Sequence, residues 1–192
     1  MTWLVLGLLL FLGVHSGRIV ADPWRTAMRA RLGDGPWKGG YSLASAVGLV
    51  LIVMGYAATR EAPVALWDPP VWTRHLAALL MLASMVLLVA AYVPGNALKA
   101  RLGHPMVLAV KTWALAHLLA NGTLADMLLF GSFLAWAVAN FASARRRDRA
   151  AGTVYATGPA SRTIVVLVAG TAVWALLAFW GHAALFGVRP FG

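Results

Sequence analysis

The stretch HLAALLMLASMVLLVAAY, residues 75–92, decides the fold because it contains no Asp, Glu, Lys or Arg. A helix needs about 20 consecutive apolar residues to cross the hydrocarbon core of a bilayer. Five more stretches of similar character lie at residues 2–21, 41–58, 105–120, 123–142 and 163–188. The sequence therefore predicts an all-α fold, a polytopic membrane helix bundle with about six transmembrane helices.

Composition excludes several other classes of protein. Of 192 residues, 61% are hydrophobic and 11% charged, whereas a soluble domain carries about 25% charged residues. Length and uniform composition predict a single integral membrane domain over residues 1–192. The chain has no cysteine, which excludes disulfides, thiolate metal sites, iron–sulfur clusters and a cysteine nucleophile.

The basic residues predict the orientation of the bundle. Thirteen of the sixteen Lys and Arg residues lie in the first, third and fifth loops or at the helix ends next to them. The other three, Arg60, Arg74 and Arg189, lie on the opposite side of the predicted membrane. Because cytoplasmic loops are enriched in Lys and Arg, the basic loops are expected in the cytoplasm and the N-terminus outside it. The expected location is a bacterial inner membrane. The net charge of +10 is thus a signal of topology, and no nucleic-acid partner is expected. The first stretch lacks the basic n-region of a signal peptide, so it is expected to remain as a helix.

Local motifs predict how two of the helices end or begin. Pro94, Gly95 and Asn96 are expected to end the third helix, and Thr123 with Asp126 has the spacing of a capping box that opens the fifth. The fifth helix also carries small residues at four-residue intervals, which favour close helix packing in lipid. These are Gly131, Ala135, Ala139 and Ser143.

Histidines are the side chains in this sequence most suited to chemistry. An imidazole inside lipid is costly unless it pairs, lines a water path or ligates a metal, and His15 and His117 lie deepest among apolar neighbours. Two neutral imidazoles on different helices are what haem iron needs on its two axial faces. Arg18, Arg74 and Lys111 are candidate partners for the haem propionates.

The position of each histidine along its helix leaves the pairing open. At ~1.5 Å per residue, His117 is expected level with His75 and His182, and His15 level with His104. His75, His104 and His182 are therefore kept as candidate cofactor-binding residues.

Four segments carry a resemblance to a known family. The longest is KTWALAHLLANG at residues 111–122; the others are GVHSGR at 13–18, YSL at 41–43 and LGHP at 102–105. Together they resemble the NnrU family of membrane proteins, over nearly the whole chain. Bacterial members of the family are linked to expression of nitrite and nitric oxide reductases. A distant plastid member, the zeta-carotene isomerase, is a haem b enzyme that turns a cis double bond to trans.

The resemblance assigns the two haem ligands to His15 and His117. His15 stands in the first-helix His-Ser-Gly, and His117 follows the His104-Pro105 pair at the family's spacing. The chain departs from the isomerase at Ala114, where that enzyme has a cysteine proposed to exchange with the second ligand. A cysteine-based redox switch therefore does not carry over.

Three hypotheses for function follow. The first is a b-type haem protein that acts as a redox-gated isomerase of an apolar, lipid-soluble polyene, or descends from one, with His15 and His117 as catalytic ligands. The second is a non-enzymatic haem-bearing accessory or sensor protein for denitrification. The third is a methyltransferase-like protein, because His104-Pro105 resembles a motif of isoprenylcysteine methyltransferases, although Gly103 stands where those have arginine.

Overall fold

The computed structural model describes residues 1–191, and every regular element within that range is helical. A lone antiparallel bridge joins Ala65 and Thr123. The expectation of an all-α fold is confirmed. The helices are α1 Thr2–Val20, α2 Asp22–Leu32, α3 Asp34–Thr59, α4 Val71–Tyr92, α5 Ala97–Leu102, α6 Pro105–Ala120, α7 Leu124–Ala151 and α8 Ala160–Leu176, followed by a π-helical turn, Leu177–Gly181, and α9 His182–Phe186.

Within residues 1–191, five helical segments are long and apolar enough to cross a membrane: α1, α3, α4, α7 and the continuous Ala160–Phe186. The sixth predicted span, α6, is apolar but shorter. Large apolar side chains on these helices are exposed, including Leu9, Val53 and Leu79. Such surfaces are stable against lipid rather than water. The protein is thus an integral membrane protein, and about six spans agree with the prediction.

Packing divides the chain into two compact units. The first comprises residues 1–67 and 122–140, and the second residues 68–121 and 141–191. The expectation of a single domain over residues 1–192 stays a prediction, and Gly192 lies outside the described residues.

In the first unit, α1 and α3 pack at three glycines. A Cβ added to Gly7 would lie 2.6 Å from the backbone nitrogen of Ile52, and one added to Gly55 would overlap the backbone of Leu4. Gly48 approaches the backbone of Phe11 in the same way. Small residues that let two backbones meet are a main source of helix association in lipid, so this contact holds the two helices together.

The turn into α7 confirms the predicted capping box. Asp126 Oδ2 accepts hydrogen bonds from the Thr123 backbone N–H at 3.0 Å and hydroxyl at 2.6 Å, while Thr123 Oγ1 accepts from the Asp126 N–H at 3.2 Å. The hydroxyl of Tyr56, on α3, donates to Asp126 Oδ1 at 2.5 Å. The buried carboxyl group thereby has partners on both oxygens, as burial away from water requires.

The second unit is built on α4, which packs against α6 and α8. The buried Ser84 hydroxyl donates to the Ala109 carbonyl of α6 at 2.8 Å, and the Trp174 indole of α8 donates to the Ala78 carbonyl at 3.1 Å. A Cβ at Gly170 would lie 2.6 Å from Val86 Cα. Hydrogen bonds and small-residue contacts thus replace the hydrophobic driving force that is absent between helices in lipid.

Asn96 ends α4, as predicted, and also begins α5. Its side chain is fully buried, with Nδ2 donating to the carbonyls of Ala90 at 2.9 Å and Val93 at 2.6 Å. Its Oδ1 accepts from the Lys99 backbone N–H at 2.8 Å as the N-cap of α5. One amide therefore satisfies backbone groups at the ends of two helices.

We expect Asn96→Ala to lower the free energy of unfolding of the detergent-solubilised protein by ~1–3 kcal/mol, because three backbone groups lose their partner. Asn96→Asp keeps the acceptor for the Lys99 N–H but loses the donor. Its free energy of unfolding should therefore lie between those of the wild type and Asn96→Ala. Thermal unfolding followed by circular dichroism measures both variants, and an unchanged midpoint for Asn96→Ala would contradict this role.

Two features differ from the sequence-based expectations. The first basic loop contains α2, whose Trp24 contacts Trp37 edge to face and whose Arg29 pairs with Asp34. At three of its four positions, the small-residue stripe of α7 makes no close helix contact within the described residues. Its Ala135 and Ala139 are exposed, and no described atom lies within 4 Å of a Cβ built at Gly131. Ser143, the fourth member, is buried, so the prediction of close packing is not borne out at the first three positions.

Candidate cofactor site

In the first unit, His15 lies on α1 inside a group of aromatic rings. Its imidazole stacks on Phe11 with ring centroids 4.2 Å apart, and it contacts Tyr41 at 5.1 Å and the edge of Trp136 at 6.1 Å. Phe133 contacts Phe11 at 5.8 Å and extends the group. These rings leave His15 only partly exposed, which lowers the local dielectric around it.

The hydrogen bond of His15 fixes its tautomer. Nδ1 lies 2.7 Å from the carbonyl oxygen of Phe11, one turn earlier. A carbonyl oxygen can only accept, so Nδ1 carries the proton and the lone pair of the neutral ring is on Nε2. This is the arrangement by which proteins orient a metal-ligating histidine.

Trp136 of α7 has a polar atom that the described residues leave unsatisfied. Its indole Nε1 is buried and has no hydrogen-bond acceptor within residues 1–191. An unpaired buried N–H costs ~1–3 kcal/mol, and such atoms are rare in folded proteins. Because the same ring contacts His15, a bound group with an acceptor oxygen at this position would satisfy it.

His117 has the same hydrogen bond within the second unit. Its Nδ1 lies 2.9 Å from the carbonyl oxygen of Trp113, one turn earlier on α6, and the two rings lie 5.3 Å apart. The proton is therefore on Nδ1 and the lone pair of the neutral ring on Nε2. Ala114, on the same helix, is fully buried and presents no sulfur.

Two more candidate histidines, His182 and His75, belong to the second unit. His182 also donates from Nδ1, to the Val188 carbonyl at 2.7 Å, but this bond is exposed and ties the chain's last helix to the tail. His75 is exposed on α4.

His104 belongs to a polar cluster of the second unit. Its Nε2 lies 2.8 Å from Asp148 Oδ2, and the Tyr155 hydroxyl donates to the same carboxylate at 3.1 Å. Arg145 lies 3.9 Å from Asp148. Burial, followed by the hydrogen bond to Asp148, raises the pKa of Tyr155, so its hydroxyl stays protonated as a donor. In this conformation Asp148 occupies the Nε2 side of His104, and that nitrogen is not presented to another ligand.

The candidate residues are divided between the two units. His15 and Arg18 belong to the first, whereas His75, Arg74, His104, Lys111, His117 and His182 belong to the second. Arg18 lies one turn after His15 on α1, so the two share a helix face. Arg74 is exposed and Lys111 is half-buried. Among the described residues, no three His, Asp or Glu side chains cluster as a metal site would require, and two axial histidines remain the candidate donor set.

One residue of these sites is not singled out by the sequence. Asp148 sits in a run of arginines at the end of α7, where a solvated charge is the ordinary expectation, and it is 44 positions from its partner His104. No sequence signal identifies its role. Trp136 is one of three deep tryptophans, with Trp113 and Trp174, for which the sequence allows either packing or the wall of a cavity.

Comparison with known proteins bears on the whole chain. The model of the family described as "NnrU protein" matches residues 3–190. No curated protein and no solved structure matches the chain. Because the match covers nearly the whole chain, the chain belongs to the NnrU family.

Proposed function

We propose that this protein is a membrane-bound b-type haem protein in which His15 is an axial ligand. The observation that carries the proposal is the Nδ1 hydrogen bond that His15 and His117 each make to a carbonyl one turn earlier. The bond places the ligating lone pair on Nε2 in both residues, and such second-shell bonds are typical of metal-ligating histidines. The family resemblance assigns the second axial position to His117.

The surroundings of His15 fit a haem. The stacked ring of Phe11 and the neighbouring Tyr41 limit access of water to the imidazole. The buried indole N–H of Trp136 lacks an acceptor among residues 1–191, and a propionate oxygen would supply one. Arg18, on the same face of α1, adds a cation for the propionate charge.

The reaction proposed is the cis–trans isomerisation of an apolar polyene. Bound haem in its reduced form would supply electron density that lowers the order of a conjugated double bond and the barrier to rotation. The chain would supply the apolar surroundings and hold the imidazoles. His15 and His117 would hold the haem, and one of them would have to release it to make room for a substrate. With Ala114 in place of a cysteine, this chain would offer no thiolate as a replacement.

Trp136→Phe tests whether the indole is part of the site. We expect haemin titrated into the detergent-purified variant to bind about tenfold more weakly, the effect of one hydrogen bond to a charged group. The haem-free variant should unfold at or near the wild-type temperature, because the N–H has no partner to lose. Trp72→Phe, which alters an exposed ring of α4, should titrate as wild type. Equal titration of Trp136→Phe and wild type would remove Trp136 from the site.

The isomerase activity is tested with haem-loaded protein in proteoliposomes containing a cis polyene of the zeta-carotene type. Conversion to the trans isomer is expected with dithionite and not with ferricyanide, as measured by chromatography. Haem-loaded protein that converts nothing in either redox state would contradict the isomerase and leave the haem assignment standing.

Family membership favours a second candidate, a non-enzymatic accessory or sensor role in denitrification. Deletion of the gene would then change nitrite or nitric oxide reductase levels and leave carotenoids unaltered. Accumulation of a cis polyene in the deletion strain, with unchanged reductase levels, would favour the isomerase instead.

A further inference from the structure

The last membrane span is interrupted by the π-helical turn Leu177–Gly181. π-helical turns are found mostly as single insertions within α-helices, and frequently at functional sites. Phe179 and Trp180, within this turn, are 70% and 67% exposed. The turn therefore displays two large aromatic side chains at one end of the span.

The tail of the chain folds back over this turn. The His182 Nδ1–H donates to the Val188 carbonyl at 2.7 Å, which fixes the position of the next residue, Arg189. Phe191 stacks on Phe179 with ring centroids 5.4 Å apart, and Trp174 contacts both rings. A polar tie and an aromatic cluster thus hold the tail against the helix.

The end of the last span and the tail together line an open cavity of about 420 Å³. Three aromatic residues line it, Phe179, Trp180 and Phe191, together with three alanines. Among residues 1–191, Arg189 is the charged residue of the lining. Within residues 1–191 no carboxylate lies within ion-pair distance of Arg189. The described part of the cavity therefore combines an apolar wall with one positive charge.

We propose that this cavity binds an anionic phospholipid, with the phosphate at Arg189 and an acyl chain along Phe179 and Trp180. The guanidinium matches a phosphate in charge and bidentate geometry. The aromatic residues belong to a membrane-spanning helix, so the ligand reaches them from the bilayer rather than from water. A zwitterionic lipid should bind more weakly than an anionic one, because its ammonium group would be repelled by Arg189. The lining contains neither His15 nor His117, the ligands of the proposed haem, so the lipid site stands or falls independently of those two residues.

The test compares phosphatidylglycerol with phosphatidylcholine of the same acyl chains, added to the full-length protein in a neutral detergent. Native mass spectrometry should show phosphatidylglycerol retained preferentially, and thermal unfolding should shift upward with that lipid. Arg189→Gln should weaken phosphatidylglycerol binding about tenfold, the effect of one charge-assisted contact. Trp180→Ala should also weaken binding, since the acyl chain loses its wall.

Arg60→Gln is the matched control, because it removes one exposed arginine on the same predicted side of the membrane. It should bind phosphatidylglycerol as wild type does. Equal retention of the two lipids, or undiminished binding by Arg189→Gln, would overturn the proposal. An equal thermal shift with soluble glycerol phosphate would overturn it too, as it would assign the cavity to a free phosphate.

Discussion

Gly55→Ala is expected to destabilise the folded protein strongly. A Cβ at this position overlaps the backbone of Leu4, which is fully buried, and a backbone cannot move aside as a flexible side chain can. The helices α1 and α3 must separate to admit the methyl group. We expect a loss of unfolding free energy at the upper end of the ~1–3 kcal/mol that overpacking costs, measured by thermal unfolding in detergent.

Gly39→Ala supplies the matched control on the same helix. No described atom lies within 4 Å of a Cβ at Gly39, so this methyl group meets no neighbour. Alanine favours a helix interior over glycine by ~0.5–1 kcal/mol, and the variant should be as stable as wild type or more so. If the two variants lost stability equally, the contact at Gly55 would not explain the loss, since Gly39→Ala makes no such contact.

His15→Gly is expected to abolish the six-coordinate haem spectrum. The substitution removes the proposed ligand and leaves a space beside Phe11 and Trp136 that an imidazole from solution can enter. Added imidazole should therefore restore the reduced bands. His75→Gly removes an exposed histidine of α4 and should keep the spectrum without additions.

Rescue of the spectrum by imidazole distinguishes the loss of a haem ligand from the misfolding of the protein. A His15→Gly protein that retained the wild-type bands without imidazole would contradict His15 as a ligand. Loss of the bands in His75→Gly instead would favour a pairing of His75 with His117, the alternative that residue depth leaves open.

The membrane spans and the start of α7 could be predicted from residue type alone, whereas α3 begins seven residues before, and α7 ends nine residues after, the predicted bounds. Apolar runs give the membrane helices because a bilayer excludes any span that leaves backbone groups unpaired. The capping box of Thr123 and Asp126 is equally local, since both partners lie within one helical turn. Such features can be predicted because all the residues that form them are close together in the sequence.

The short helix α2 could also have been anticipated. Asp22 and Pro23 are typical of a helix start, and Gly33 of a helix end. The arginines between these signals indicate topology as well, and that pattern alone predicts a cytoplasmic loop and no helix.

The detailed site depends on contacts that no local pattern encodes. Trp136 is a candidate for the site because its indole N–H lacks an acceptor among the described residues. Whether an acceptor is present depends on all the residues packed around the ring. Likewise Asp148 and His104 meet across 44 positions of chain. In contrast, the bonds from His15 to Phe11 and from His117 to Trp113 follow from helical spacing once both residues are helical.

The most direct test of the central claim is the absorption spectrum of wild-type protein purified in detergent after growth with ample haem. Spectra are recorded oxidised and dithionite-reduced, and a pyridine haemochrome assay measures the haem content. A stoichiometric b-type haem with sharp reduced bands typical of two axial histidines is the predicted result. A folded, colourless protein that also fails to bind added haemin would contradict the claim.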